Sequence, residues 1–238
     1  MVARSRLAVL LLCVLGSACH RGSPSAVLDP AVAACIPAGT TLLAGADLDA
    51  LRASPLYRSL SPGTTALAEP LRGASLLVVA ANGTSLTAIV RGKFTEPPSG
   101  FTAIGPGLAV SGACRASTVA APPIVAYAES LAANPVWAVA LRAATLPLSG
   151  NLANLNNFVH SADHTAVAGR LGDRLSIEVH SVCRTADEAQ HLESSLRALI
   201  SLAGMRSRTL GEIRLDRQNL TVRVTLSADA SAAEQLLR

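Results

Sequence analysis

Residues 76–94 read LLVVAANGTSLTAIVRGKF, and residues 165–183 read TAVAGRLGDRLSIEVHSVC. Each is a strand–turn–strand pattern: apolar residues, a polar break with glycine, then apolar residues again. They align without a gap at an offset of 89 (165 − 76), which sets Val78 on Val167, Gly83 on Gly172, Leu86 on Leu175 and Val90 on Val179. Asn82-Gly83 is a strong hairpin signal, because both residues tolerate the positive φ that a tight turn needs. Gly172-Asp173 serves the same purpose in the second copy.

Working outward, other parts recur. TTLLAGADLDALRAS (40–54) and VWAVALRAATLPLS (136–149) each read as a strand running into a polar and then helical segment. Each unit closes on a second hairpin, TAIGPGLAVSG around Gly105-Pro106-Gly107 and EIRLDRQNLTVRVTL around Asp216 to Asn219. The second unit adds a helix at about 185–204, with a Thr185/Glu188 capping box, a stripe of Leu192, Leu196, Leu199 and Ala203, and Gly204 as the stop. The first unit has only TEPPSG in that place. Further helices are expected at 123–133 and at about 230–237. The fold class is α+β: two tandem antiparallel-sheet units, the first degenerate. A complete unit would run strand, helix, hairpin, helix, strand, and so resembles the ferredoxin-like pattern. The expected division is 1–18, a signal peptide; 19–30, a flexible tether; 31–117, the first unit; and 118–238, the second.

The N-terminus bears on location. Arg4 and Arg6 precede an apolar run, Leu7–Leu15, that is short for a bilayer span, and Gly16, Ser17, Ala18 and Cys19 follow. LGSAC resembles the bacterial lipoprotein signal, with Gly16 where that signal usually carries leucine. The resemblance implies cleavage before Cys19, a diacylglycerol thioether on its sulfur and acylation of the new amine. It further implies a lipid-anchored protein of the cell envelope facing the periplasm. His20, where an Asp would retain such proteins in the inner membrane, points to the outer membrane. Ordinary cleavage after Ala18, giving a secreted soluble protein, and an uncleaved anchor are the alternatives. HRGSPS after Cys19 suits a tether.

Composition excludes some classes. The formal charge of +4 falls to +2 once Arg4 and Arg6 leave with residues 1–18, so the basic character is no signal for nucleic acid. Lys93 is the only lysine, and neither a phosphate-binding lysine motif nor a G-x-S-x-G nucleophile elbow occurs. Aromatic residues make up 3%, too few for a stacking platform. The 50% apolar share is inflated by alanine and hides no further span. No cofactor is expected.

Cys13 and Cys19 lie in the signal region, leaving Cys35, Cys114 and Cys183, which allow three pairings. In a ferredoxin-like sheet the first and last strands are neighbours. That would bring Cys35, before the first strand, to Cys114, after the last. A Cys35–Cys114 disulfide closing roughly 80 residues would contribute around 4 kcal/mol in the chain-entropy account. Cys183 aligns with Phe94 in the apolar set Leu86, Ala88, Val90, Phe94 and is expected to be a buried free thiol.

Few residues suggest chemistry. His160, Asp163 and His164 are the densest candidate metal ligands, although this stretch precedes a strand and has no companion cysteine. Ser176, Glu178 and His180 alternate on one strand face, at about 7 Å per step too far apart for a direct proton relay. Asn151, Asn154, Asn156 and Asn157 form the candidate binding segment. The sequons at Asn82 and Asn219 read as hairpin turns, and Trp137 as a core anchor. The leading expectation is a non-enzymatic interaction or assembly module, anchored to the membrane and meeting an envelope protein partner. The alternatives are a metal-binding or hydrolytic module at 160–164, or a small-ligand carrier with a cavity between sheet and helices.

Overall fold

The computed structural model describes residues 28–59, 71–112, 114, 122–145, 155–206, 212–229 and 232. The expected signal peptide (residues 1–18), Cys19, Asn151, Asn154 and the expected C-terminal helix beyond Ala232 lie outside them. Ten strands form one antiparallel sheet: β1 (Leu42–Asp47), β2 (Ala74–Ala81), β3 (Leu86–Gly92), β4 (Thr102–Gly105), β5 (Leu108–Ser111), β6 (Val136–Leu141), β7 (His164–Leu171), β8 (Leu175–Val182), β9 (Glu212–Gln218) and β10 (Thr221–Ala228). Their order is β4-β5-β3-β2-β1-β6-β7-β8-β10-β9. The two halves therefore carry the same strand order, mirrored about the β1–β6 seam, where Gly45 faces Trp137 and Ala44 faces Ala138.

This order replaces the ferredoxin-like expectation. β1 has β2 on one flank and β6 on the other, so no flank remains for the last strand of its own half. Each half instead ends on a hairpin that adds beyond β3 or β8. The helices are α1 (Pro30–Ala33), α2 (Leu48–Ala53), α3 (Pro55–Ser59), α4 (Pro123–Glu129), α5 (Leu155–Ser161) and α6 (Ala186–Arg206). Local chemistry explains their starts. Asp29 accepts from the Ala31 amide at 2.8 Å, Asp47 from that of Ala50 at 2.8 Å, and the Thr185 hydroxyl from that of Glu188 at 3.1 Å. α6 runs past Gly204, which does not stop it, and Leu199 on its expected apolar stripe is exposed.

The hairpins explain a slip in the ungapped alignment. Asn82–Ser85 makes a four-residue loop between the facing pair Ala81 and Leu86. Gly172–Arg174 makes a three-residue loop between Leu171 and Leu175. Since strand side chains alternate, one residue of slip turns a position to the other face. Val78 lies in the main core, whereas Val167 lies on the opposite face, in the Ala138↔Val167↔Val179↔Val224↔Leu215 row.

Two faces follow from the registers. In the first half both are buried. One carries Leu43, Val78, Ala80, Ile89 and Val110, covered by Val32 of α1 and by Ile124, Val125 and Ala128 of α4; Trp137 and Val139 extend this core across the seam. The other holds Val90 and Ala109 under Leu48 of α2, with Leu51, Phe94 and Phe101. The expected one-sided set thus fails in the first half: Ile89 and Thr87 are buried opposite Val90, while Leu86 is 61% exposed. In the second half the faces differ. Val139↔Ala166↔His180↔Arg223↔Asp216 passes from core to charged surface within one row. The opposite face is apolar and packs under α6, where Ala189 and Leu192 meet Cys183 and Val222.

Cys35 and Cys114 form a disulfide with Cα atoms 4.7 Å apart. The expected pair is present, but not for the expected reason. α1 lies across the core face and sets Cys35 beside the chain leaving β5. Cys183 is free and buried, where burial raises its thiol pKa and so disfavours the thiolate.

Candidate functional site

Two polar groupings emerge. The first surrounds the α5–β7 junction. His160 of α5 directs Nε2 at the Ala144 carbonyl, 2.9 Å away, and must donate there. Asp163 accepts from Arg184 Nε at 2.9 Å, which holds its carboxyl below the usual carboxylate range. His164 opens β7 and stacks on Tyr127 of α4, with ring centroids 4.1 Å apart. Its Nδ1 is buried and lies 3.7 Å from Asp163 Oδ2, beyond hydrogen-bond reach. The three candidate ligands thus turn to three different partners. Among the described residues, no three His, Cys, Asp or Glu side chains gather in a metal-binding group. Ser161 and Ala162 carbonyls and Glu188 Oε1 all accept from Arg142, at 3.3, 3.1 and 2.7 Å. Glu188 also accepts from the Arg184 amide. Its carboxyl is held low first by the Arg142 bond. This network ties β6, α5 and the start of α6 together.

The second grouping is the exposed charged face of β8, β10 and β9. His180 Nε2 lies 2.6 Å from Glu178 Oε1, and Arg223 pairs with the same carboxylate from the adjacent strand. Two residues apart on a strand was expected to be too far. The Cβ atoms are indeed far apart, but the long Glu side chain leans along the strand and closes the gap. Glu178 is held below its ordinary pKa, first by the His180 hydrogen bond and then by the Arg223 charge. Ser176, the third member of the expected row, bonds to neither. Beside this trio a shallow concavity of about 420 Å³ is lined by His180, Asp216, Gln218, Asn219, Thr221 and Arg223. A neighbouring one of about 490 Å³ shares Asp216 and Arg223 and adds Arg214 and Thr225. Together they make a trough across the outer strands, neither enclosed nor flat.

The asparagine segment divides. Asn156 and Asn157 lie on α5, and Asn157 is exposed with its carbonyl accepting from Ser161 Oγ at 2.7 Å. Both sequons fall in hairpin turns: Asn82 Oδ1 accepts from the Thr84 and Ser85 amides, and Asn219 has φ of 53°. Arg223 is not among the residues expected from the sequence, although its alternation with Val222 and Val224 marks it as outward-facing.

These features define a mixed α/β protein dominated by a ten-stranded antiparallel sheet. Among its described residues, no helix is long and apolar enough to cross a membrane. No known protein-family model matches the chain, and no curated protein matches it in sequence. The chain is similar to TP0453 in its crystal form I, with a TM-score of 0.47, 8% sequence identity, and coverage of 86% of this chain and 95% of that one.

Proposed function

We propose that this protein is a non-enzymatic cell-envelope module, held to a membrane by lipid on Cys19, that uses its sheet as an interaction platform. The two halves are read as a duplicated unit, which their common strand order and the aligned central hairpins support. After duplication one half kept both faces covered, and the other left a charged face open. The observation that carries the reading is this open face. Its charges pair, Glu178 with Arg223, and His180 hydrogen-bonds the same carboxylate, instead of converging on a point where a substrate would react. A surface of paired charges around a shallow trough suits polar contact with another macromolecule.

The anchor is tested by fractionation of cells expressing wild type and Cys19→Ala. The expected result is that the wild type sediments with membranes and incorporates labelled fatty acid. The variant is released, with the near-ultraviolet circular dichroism of its fold unchanged. Retention of Cys19→Ala in the membrane fraction would refute lipid anchoring at this residue.

A further inference from the structure

The sheet ends on two different edges. β4 is four residues long, has a register shift between Ala103 and Gly105, and is closed by Pro106. Such an edge is poorly suited to pairing. β9 is seven residues long, carries no proline or glycine, and pairs with β10 in an unbroken register from Gln218↔Thr221 to Glu212↔Ser227. Which of its backbone groups face outward follows from one bond. The Leu220 carbonyl accepts from the Cys183 amide, so even-numbered residues of β10 turn their peptide groups toward β8. Odd-numbered ones, Thr221 among them, turn theirs toward β9, and their partners there are the even-numbered residues. Hence Ile213, Leu215 and Arg217 present their N–H and C=O groups at an edge that no other described strand pairs.

We propose that β9 pairs antiparallel with β9 of a second copy of this chain, about a two-fold axis at Leu215. Only registers that oppose two odd-numbered residues satisfy the outward groups. Setting Ile213 against Leu215 opposes Arg214 to itself and Glu212 to Asp216. Setting Leu215 against Arg217 opposes Asp216 to itself. Setting Leu215 on Leu215 opposes Arg214 to Asp216 twice and Glu212 to Gln218 twice, and it uses the full strand. These pairs fall at the non-hydrogen-bonded positions, where side chains are closest. Arg214, Asp216 and Glu212 are exposed in the single chain, and the Arg214–Glu212 ion pair that would be exchanged is itself solvated. Setting Ile213 on Ile213 also opposes Glu212 to Arg214 twice but pairs only three residues of β9, so over the full strand the charges match in one register. The helices also fit. α6 packs on β9 and β10. The two copies of α6 would lie two strand spacings apart, about 9.6 Å, within the usual helix-packing distance.

The test is sedimentation equilibrium of the full chain in density-matched detergent. The wild type is expected to show a reversible monomer–dimer equilibrium that weakens with salt. Arg214→Asp alone and Asp216→Arg alone each turn two attractive contacts into repulsions, and each should weaken the dimer on the order of tenfold to a hundredfold. The double variant R214D/D216R restores the complementarity and should dimerise like the wild type. Trp137 fluorescence of each variant checks that the fold is intact. A wild type that stays monomeric at every concentration overturns the proposal. So do folded single variants that dimerise unchanged, and a folded double variant that fails to regain the dimer. None of these outcomes bears on the lipid anchor, whose readout is membrane retention.

Discussion

Gly45 sits at the seam between the halves, directly across from Trp137. A Cβ on Gly45 would overlap Cε2 and Cζ2 of the Trp137 indole and lie 2.6 Å from Nε1. Trp137 is 2% exposed and walled in by the main core, so the ring has no free direction in which to yield. Gly45→Ala therefore sets two effects against each other. Replacing a strand glycine by alanine ordinarily stabilises by about 0.4–1 kcal/mol, through a more restricted unfolded chain. Overpacking a tight core ordinarily costs about 1–3 kcal/mol. The overlap is with a large immobile ring, so the second effect wins, and a net loss of about 1–2 kcal/mol is expected. For a chain of this size that lowers Tm by about 2–8 °C. Urea unfolding followed by fluorescence reads the loss directly, because Trp137 is the only tryptophan. The decisive arm repeats the substitution in a Trp137→Leu background, followed by circular dichroism. There Gly45→Ala should become neutral or stabilising, giving a coupling of at least about 1 kcal/mol between the two sites. An equal cost in both backgrounds, or a stabilising Gly45→Ala in the wild type, would refute the steric account.

Further outcomes follow from the same structure. Cys114→Ser should cost about 2–4 kcal/mol and should abolish the rise of two titratable thiols that reductant produces in the denatured wild type; an unchanged rise would remove the Cys35–Cys114 bond. Glu178 has its folded pKa lowered from 4.5, so its contribution to stability is present above that value and lost as pH falls through the lower, folded value. Arg223→Met should shrink this contribution and flatten the acid limb of a stability–pH curve; an acid limb as steep as the wild type's would contradict the pairing. Arg142→Met removes the side-chain donor to two carbonyls and to Glu188 Oε1, leaving that carboxylate only the Arg184 amide, so a loss of about 1–3 kcal/mol is expected, with faster amide exchange at the start of α6. Metal analysis of the purified protein should find no stoichiometric zinc; a bound zinc lost in His160→Ala would revive the 160–164 segment as a site.

Much of the fold was legible where side-chain pattern acts locally. The hairpins at 76–94 and 165–183, the Thr185/Glu188 cap and the burial of Cys183 are all short-range consequences of turn chemistry or alternation. The strand order was not legible, because it depends on which flank of β1 is occupied, and that is decided by β6, some 90 residues away. The continuous apolar run in LLVVAA was a sign that β2 is buried on both faces, whereas LSIEVHSV alternates because β8 is buried on one. Strict alternation likewise fails on β3, where it puts Ile89 on the wrong side although both faces are buried. The Glu178–His180 contact is illegible for a different reason: side-chain length, not Cβ spacing, decides reach. The 160–164 cluster looked promising in one dimension only. Its side chains separate because His160 is at the end of a helix and His164 at the start of a strand.

The β1–β6 seam has a consequence for synthesis. Chains are made from the N-terminus, so the first half is complete, and its disulfide partners both available, before β6 exists. During that interval β1 is a bare edge of an otherwise finished sheet, apolar over Leu42–Ala46 and with no charge there to repel a stranger. Any other nascent copy in the same state presents the same strand. The risk to this protein thus lies in the order in which its strands are born, and it peaks before the residue that seals the seam, Trp137, has been added.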